Sequence, residues 1–237
     1  MAFQPIVDTS KQEIFAYEAL VRGIHNEPAG AILAQVNDHN RYRFDQACRV
    51  RALAWAAKLN MPTYLSINFL PNAVYRPETC IRATIEASQE FGFPLERLIF
   101  EITEGEEVED HTHLQNIIQE YKRQGFLTAI DDFGAGYSGL NLLAELETDL
   151  LKLDMAIIRE IDQDPKRQSI VRAIVQVCQD LAICPIAEGV ETRAEWQTLA
   201  GFGIELFQGF YFARPVFESL AVIDPQIFNM LSDVAAG

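Results

Sequence analysis

Residues 127–134 read Leu-Thr-Ala-Ile-Asp-Asp-Phe-Gly, a mainly apolar run that ends in two adjacent carboxylates. A strand buried on both faces of a parallel sheet has a near-continuous apolar sequence. The carboxyl ends of such strands form the face that carries active sites in α/β barrels. Asp131 and Asp132 lie at such an end, so this stretch predicts an α/β sheet with an acidic site at its strand ends.

Similar apolar runs recur along the chain, and helical patterns separate them. The predicted strands are Phe3-Val7, Phe15-Leu20, Tyr64-Leu70, Leu98-Ile102, Leu127-Phe133, Leu150-Leu153, Cys184-Ala187 and Leu206-Tyr211. Predicted helices are Phe44-Leu59, Thr79-Phe91, Leu114-Gln124, Ser169-Leu181 and Arg193-Ala200. Alternating strands and helices predict a mainly parallel sheet. About eight strands in 237 residues favour closure into a TIM-type (β/α)8 barrel, here one domain over residues 1–237.

The start of the chain departs from this alternation. Seven residues separate Phe3-Val7 from Phe15-Leu20, a gap too short for a helical crossover between parallel strands. The two strands should therefore pair as a hairpin, which places one antiparallel strand near the N-terminus of the barrel.

Composition limits the classes of function. Hydrophobic residues make up 49% of the chain and the net charge is −15. An acidic chain is poorly suited to general nucleic-acid binding, which needs Lys and Arg against phosphates. No run approaches the roughly 18 apolar residues of a membrane span. Met1-Pro5 lacks a basic region followed by a long apolar run, so we expect a cytoplasmic protein.

Polar residues stand at the predicted strand ends, where buried strands would otherwise be apolar. They are Glu18, Asn68, Glu101, Asp131, Asp132, Lys152, Asp154, Glu188 and Gln208. A closed barrel would gather them into one pocket, where the carboxylates would repel each other. Two hard divalent cations would relieve that repulsion. Oxygen ligands suit Mg²⁺, Mn²⁺ or Ca²⁺, and the lack of His and Cys at these ends argues against zinc.

The segment Gly134-Ala135-Gly136-Tyr137-Ser138-Gly139 matches the spacing of a dinucleotide-binding loop. Asp131 and Asp132 stand directly before it and would repel a pyrophosphate, so we interpret the segment as a glycine-containing active-site loop. A serine or cysteine nucleophile would need a neighbouring base. None of the histidines His25, His39, His111 and His113 lies at a strand end.

These residues occur within recognisable motifs, in a fixed order along the chain. The chain resembles the EAL-domain family through Glu18-Ala19-Leu20, Ser66-Ile67-Asn68, Phe100-Glu101-Ile102-Thr103-Glu104, Asp131-Asp132-Phe133-Gly134-Ala135-Gly136-Tyr137-Ser138, Leu151-Lys152-Leu153-Asp154, Ala187-Glu188-Gly189-Val190-Glu191-Thr192 and Gln208-Gly209-Phe210. Gln4-Pro5-Ile6-Val7 resembles the family's opening strand. The sequence around Asn68 and Asp131 is most similar to that of EAL domains attached to blue-light-sensing BLUF domains.

The resemblance implies a phosphodiesterase that hydrolyses one bond of cyclic di-GMP to give linear pGpG. It assigns Glu18, Asn68, Glu101 and Asp131 to one metal ion, and Asp131, Asp132 and Glu188 to a second. It implies that Lys152 and Gln208 position the attacking water. The catalytic residues would then be Lys152, Gln208, Glu18 and Asp131. Substrate contacts fall to Gln4, Leu20, Arg22, Asp154, Gln208 and Pro215. Glu104 would anchor the loop after Asp132, and Glu191 would support the ligands.

The resemblance also implies dependence on Mg²⁺ or Mn²⁺, two ions per site, with Ca²⁺ inhibiting. The leucines of Tyr137-Leu146 exceed one buried face, and the family uses this region to dimerise, so a homodimer is expected there. A regulatory sensor domain outside this chain is compatible with the family. Two alternatives remain: a catalytically inactive EAL domain that binds cyclic di-GMP or a protein, and a two-metal phosphoesterase acting on linear dinucleotides or RNA.

Overall fold

The architecture is a closed β-barrel surrounded by helices. A computed structural model describes residues 1–74, 76–103, 111–135 and 139–232 of the chain. Within these residues the strands are β1 Ala2–Asp8, β2 Glu13–Leu20, β3 Tyr64–Phe69, β4 Leu98–Thr103, β5 Leu127–Phe133, β6 Leu150–Leu153, β7 Cys184–Ala187, β8 Leu206–Phe207 and β9 Val216–Phe217. Strands β2 to β8 follow one another in parallel, and β1 closes the ring between β8 and β2.

Strand β1 is antiparallel to both of its ring neighbours, as the short gap after it predicts. Gln4 lies opposite Glu18, and Ile6 lies opposite Ala16. The two-residue strand β9 pairs with the start of β1 outside the ring and was not predicted from the sequence. The fold class, a TIM-type barrel with one antiparallel strand, is confirmed.

Helices cover the outside of the barrel. Within the described ranges they are α1 Ala29–Leu33, α2 Arg41–Lys58, α3 Pro77–Cys80, α4 Arg82–Phe91, α5 His111–Arg123, α6 Gly139–Glu145, α7 Met155–Ile158, α8 Pro165–Asp180, α9 Arg193–Ala200 and α10 Pro225–Ser232. Helix α8 shows why these segments are helical. Its N-cap Asp164 accepts hydrogen bonds from the backbone of Lys166 and Arg167, and Pro165 occupies the first turn.

Two apolar layers hold the barrel and its helices together. A small layer fills the floor of the barrel and comprises Ile6, Ala16, Ile99, Ala129, Leu150, Ile186 and Leu206. A larger layer lies between the strands and the helices. Because successive strand residues point to opposite faces, β1, β2 and β4 to β8 each contribute to both layers. Within the described ranges, no helix has the length and apolar character needed to span a membrane.

A buried arginine lies within the outer layer. The Arg49 guanidinium lies 2.7 Å from the Asp45 carboxylate and donates to the Tyr121 hydroxyl at 2.8 Å. It also packs over the rings of Phe69 and Phe100, with centroids 5.4 and 5.3 Å away. Asp45 accepts a further hydrogen bond from the backbone N–H of Leu70, directly after β3. The ion pair therefore joins α2 to the wall of the barrel.

Replacing Arg49 with methionine is expected to lower the free energy of unfolding by about 3 kcal/mol, because it leaves the buried Asp45 carboxylate without its partner. Arg41→Met in the same helix is the matched control. Arg41 pairs with Asp38, whose side chain is 87% exposed, and such surface pairs contribute roughly 0–1 kcal/mol. Urea denaturation of both variants measures the difference. Equal losses would contradict a special role for the buried pair.

Candidate active site

The functional side chains stand two residues beyond the floor of the barrel. Each floor residue is followed, at the next position on the same face, by a polar residue: Ala16 by Glu18, Ile99 by Glu101, Ala129 by Asp131, Leu150 by Lys152, Ile186 by Glu188 and Leu206 by Gln208. In β1, which runs in the opposite direction, Gln4 precedes Ile6 by the same step. The barrel therefore gathers one polar layer above one apolar layer.

Lys152 lies at the centre of this layer. Its ammonium nitrogen is 2.7 Å from Glu188 Oε1, 2.8 Å from Asp131 Oδ1 and 2.8 Å from Glu101 Oε2. Glu18 Oε2 is 3.7 Å away. The side chain of Lys152 is 1% exposed, so water contributes little to stabilising its charge. Four carboxylates surrounding one ammonium provide that stabilisation instead.

Two side-chain amides and a hydroxyl hold the carboxylates of Glu18 and Glu101 through further hydrogen bonds. Asn68 donates to Glu18 Oε1 at 2.8 Å, and Gln208 donates to Glu18 Oε2 at 2.9 Å. Ser66 donates to Glu101 Oε1 at 2.6 Å. Ser66 was not assigned a role from the sequence, although its spacing of two from Asn68 places both on one strand face.

Asp131 and Asp132 both reach the site because β5 is irregular. Consecutive strand residues normally point to opposite faces, but the pairing of β5 with β6 shifts register between Ile130 and Phe133. Asp132 adopts the left-handed conformation, with φ of 57°, which aspartate tolerates better than most residues. Ligand oxygens of Asp131, Asp132 and Glu188 consequently lie within 4.8 Å of one another.

A cavity of about 250 Å³ opens above this layer. Its lining includes Gln4, Asp132, Asp154, Glu188, Glu191 and Gln208, together with Met155, Gly189, Gly209 and Phe210. Asp154 also caps α7 by accepting from the backbone of Ala156. The structure thus brings together most of the residues singled out at the strand ends.

The remaining residues of the predicted site lie elsewhere or outside the described ranges. Leu20 lines a second, mainly apolar cavity that also borders Asn68 and Cys48. Arg22 is half-buried and donates to the carbonyl of Val21. Pro215 is half-buried just before β9. Glu104 and Tyr137 lie outside the described residues.

The carboxyl groups of the site differ in acidity. Burial, with the charge of Asp131 adding to it, raises the pKa of Asp132 to about 6. Burial and neighbouring carboxylates hold the pKa values of Glu101 and Glu188 well above their usual value. Burial also acts on Glu18, but Lys152, Gln208 and Asn68 outweigh it and lower its pKa. Without further cations, burial and mutual repulsion therefore favour the protonated forms of Asp132, Glu101 and Glu188 relative to ordinary carboxyl groups.

The donor set fits divalent cations. Four carboxyl groups lie within 4 Å of one ammonium, and a fifth, Asp132, lies beside two of them. Two divalent cations would carry the positive charge that this layer otherwise lacks. The candidate ligands are carboxylate and amide oxygens, which Mg²⁺ and Mn²⁺ prefer. The cluster of Asp131, Asp132 and Glu188 has the spacing of a single metal site.

Comparison with known proteins identifies the family. A sequence model of the EAL domain matches residues 1–215. The chain is a member of the EAL-domain family. Among solved structures, a standalone EAL protein of Vibrio cholerae O395 in its c-di-GMP-bound form superimposes with a TM-score of 0.93 at 55% identity, covering 97% of this chain and 96% of that one. The fold and family inferred from the motifs are confirmed.

Some EAL relatives are larger proteins. The manganese/cy-diGMP complex of Klebsiella pneumoniae BlrP1 has a TM-score of 0.88 and 35% identity, covering 94% of this chain and 57% of that one. A calcium/cy-diGMP complex of the same protein gives the same values. The blue light- and temperature-regulated antirepressor BluF of Escherichia coli is 33% identical over 90% of this chain and 53% of its own length. The EAL chain thus spans about half of that curated relative.

Apparent Mn²⁺ affinity of the EAL site is expected to rise between pH 5 and pH 7. Protonated carboxyls cannot ligate a cation, so below the raised pKa of Asp132, about 6, protons compete with metal. Affinity should change roughly ten-fold per pH unit for each proton released. Calorimetry in buffers of different ionisation enthalpy measures both quantities. An affinity that is constant over this range would contradict the proton competition.

Proposed function

We propose that this EAL domain is a metal-dependent phosphodiesterase that hydrolyses cyclic di-GMP to linear pGpG. The observation that carries the proposal is the intact polar layer. Every residue that the family motifs assign to metal or water within the described ranges is present, and their side chains meet in one connected layer. Solved EAL relatives bind cyclic di-GMP with manganese or calcium, which supports this substrate and cofactor class. Because cyclic di-GMP is a bacterial second messenger, the proposed reaction takes place in the cytoplasm.

We assign Glu18, Asn68, Glu101 and Asp131 to one cation, and Asp131, Asp132 and Glu188 to another. When bound, two such cations supply an activated water and positive charge for the scissile phosphate. Arg22, Gln4, Leu20, Asp154 and Pro215 are the proposed substrate contacts. Of these residues, Gln4 and Asp154 line the cavity above the polar layer, Leu20 and Arg22 lie at the end of β2, and Pro215 lies directly before β9.

Lys152 contributes as a fixed cation. Burial opposes its charge, but the carboxylates of Asp131, Glu101 and Glu18 outweigh burial and hold its pKa well above its usual value. A permanently charged ammonium can donate hydrogen bonds but cannot take up a proton. Lys152 therefore orients the attacking water and stabilises negative charge on the phosphate, and it is not a general base.

Gln208 is the second residue proposed to orient the water. Its side chain is buried, and its amide nitrogen is held by Glu18. A glutamine anchored in this way keeps its amide oxygen available as an acceptor. Together Lys152 and Gln208 supply a donor and an acceptor, which is the pair needed to hold one water molecule in a defined direction.

Product analysis tests the proposed function. Purified protein is incubated with cyclic di-GMP and Mn²⁺, Mg²⁺, Ca²⁺ or a chelator, and with pGpG as a second substrate. We expect pGpG to form with Mn²⁺ or Mg²⁺, with none formed after chelation. Ca²⁺ should bind and inhibit, because its larger and looser coordination holds the water poorly. Binding of cyclic di-GMP without cleavage in every metal would instead favour an inactive receptor.

The receptor alternative has one specific observation in its favour: one relative is named an antirepressor rather than an enzyme. Cleavage of pGpG or RNA in preference to cyclic di-GMP would favour the other alternative, a less specific phosphoesterase. The incubation with pGpG separates that outcome from the proposed function.

We also infer a homodimer through the region 137–146, in keeping with the family. Leu140 is 65% exposed on α6, whereas Leu142, Leu143 and Leu146 are buried against their own chain. The exposed surface is therefore smaller than the leucine count of α6 suggests. Sedimentation over a dilution series, with activity measured at each concentration, tests the dimer. A monomer with undiminished specific activity would contradict it.

A further inference from the structure

A buried carboxylate outside the polar layer joins loops that follow the strands of that layer. Glu195 lies in the first turn of α9 and is 2% exposed. Its Oε2 accepts from the backbone N–H groups of Glu191 and Thr192 at 2.9 and 3.0 Å. Its Oε1 accepts from the backbone N–H of Glu160 at 2.9 Å. A helix capping box requires the bond to Thr192 alone, so the other two bonds are additional.

The bonds to Glu191 and Thr192 hold the loop after β7, which begins with Glu188. That loop is in turn joined to the segment after β8. Val190 donates its backbone N–H to the carbonyl of Gln208 at 3.1 Å, and Tyr211 donates to the carbonyl of Val190 at 3.0 Å. A Cβ on Gly209 would lie 2.1 Å from the Val190 carbonyl oxygen, so the two backbones are in direct contact.

The bond to Glu160 holds the loop after β6 and α7. Glu160 adopts a left-handed conformation, with φ of 55°, which is unfavourable for glutamate and needs an external restraint. At the start of α7, Met155 packs against Gly189, where an added Cβ would lie 2.6 Å from the Met155 Cβ. Arg159, the residue before Glu160, pairs with Glu191 at 2.5 Å. Besides the Glu195 bond, the loops after β6 and β7 are therefore joined by the Met155–Gly189 packing and by the Arg159–Glu191 ion pair.

We propose that Glu195 is a positioning residue for the active site: through Glu160, Glu191 and Thr192 it holds the loops that set Glu188 and Gln208. This inference rests on the proposed function, since it concerns the same site. Glu195 lies seven positions beyond Glu188 and acts through backbone groups. Burial acts to raise its pKa, but the backbone N–H groups of Glu160, Glu191 and Thr192 outweigh burial and lower it, so the carboxylate is ionised at neutral pH.

The test compares Glu195→Ala and Glu195→Gln with the matched control Asp164→Ala. Asp164 is likewise a carboxylate that accepts two backbone N–H bonds at a helix N-terminus, from Lys166 and Arg167 of α8. Unlike Glu195, it accepts no hydrogen bond from the loop after β7 within the described residues. Mn²⁺ affinity is measured by calorimetry, and kcat and KM for cyclic di-GMP are measured at a temperature where circular dichroism shows each variant folded.

For Glu195→Ala we expect Mn²⁺ binding and kcat to fall by about 10-fold or more, the usual effect of removing a group that orients metal ligands. KM should change little. Glu195→Gln retains one acceptor oxygen, so its Mn²⁺ affinity and kcat should lie between those of Glu195→Ala and those of the wild type. Asp164→Ala should lower the stability of the protein but leave both Mn²⁺ binding and kcat unchanged.

Mn²⁺ affinity and kcat for Glu195→Ala within two-fold of those for Asp164→Ala would overturn the positioning role. If Glu195→Ala fails to fold, the same comparison made with Glu195→Gln decides. A wild-type protein that binds Mn²⁺ but does not cleave cyclic di-GMP would contradict the proposed function alone, because the affinity comparison still tests the positioning role.

Discussion

Replacing Asp131 with asparagine is expected to abolish hydrolysis of cyclic di-GMP, with kcat lowered by about 10³-fold or more. Losing one electrostatic stabiliser costs roughly 10²–10³-fold, and Asp131 is proposed to serve both cations. Its oxygens lie near those of Asp132 and Glu188 on one side and near Lys152 on the other. Asparagine retains the shape but has one oxygen and no charge, so Mn²⁺ binding should fall with activity.

Asp180→Asn provides the control for this change, because Asp180 is exposed at the end of α8. It should keep both Mn²⁺ binding and turnover at wild-type values. Calorimetric titration with Mn²⁺ and chromatographic product analysis measure the two effects separately. An Asp131→Asn protein that retains more than about a tenth of wild-type turnover would show that Asp131 does not bridge the cations.

Replacing Lys152 with methionine should have opposite effects on metal binding and on catalysis. Turnover should fall by about 10²-fold, because the charge that stabilises the phosphate is removed. Mn²⁺ should bind at least as tightly as in wild type, because the ammonium no longer competes for Glu101, Asp131 and Glu188. Among the proposed site residues, a metal ligand and Lys152 are thus distinguished by the sign of the change in Mn²⁺ affinity.

The same substitution should destabilise the metal-free protein. Removing one partner of a buried ion pair costs about 3–5 kcal/mol, because the remaining charge is left unpaired or must take up a proton. Mn²⁺ binds the folded state, so it should restore more stability to Lys152→Met than it adds to wild type. Thermal unfolding with chelator and with Mn²⁺ measures this difference, and the exposed Lys166→Met is the control. Equal stabilities of the two variants in chelator would contradict the central role of Lys152.

These two predictions share one physical cause. The polar layer carries more negative than positive charge, and a barrel interior cannot stabilise that excess with water. The protein alone balances part of it with Lys152, and the raised pKa values of Glu101 and Glu188 favour the binding of protons by these two groups. Divalent cations would replace those protons, which links metal binding, pH and stability at one site.

Most strands could be predicted from the sequence because their signal is local. Strands β5, β6 and β7 have the predicted bounds, since each is an apolar run that ends at a charged residue or a turn. The predicted strand Leu206-Tyr211 is shorter in the structure, where β8 ends at Phe207. Gln208 therefore lies just beyond its strand. The chain after it turns to contact Val190, an arrangement that depends on a residue distant in sequence.

Helices show the same division between local and distant effects. The predicted Thr79-Phe91 is two helices, α3 and α4, that meet at Ile81. Two leucines of α6, Leu142 and Leu143, and Leu146 directly after it are buried against their own chain, and Leu140 alone of these four is exposed. Amphipathic spacing shows that an apolar face exists, but which neighbour covers it is decided by the packed tertiary structure.

The sequence by itself determined the barrel class, the antiparallel first strand and the residues that face the site. These follow from the alternation of apolar strands with helical patterns, from one short gap and from polar residues at the ends of the predicted strands. Only the tertiary structure decided that Lys152 sits among four carboxylates, that a register shift turns Asp132 toward Asp131, and that Glu195 joins the loops around them. Each of these depends on closing the barrel, which brings together side chains that lie tens of residues apart along the chain.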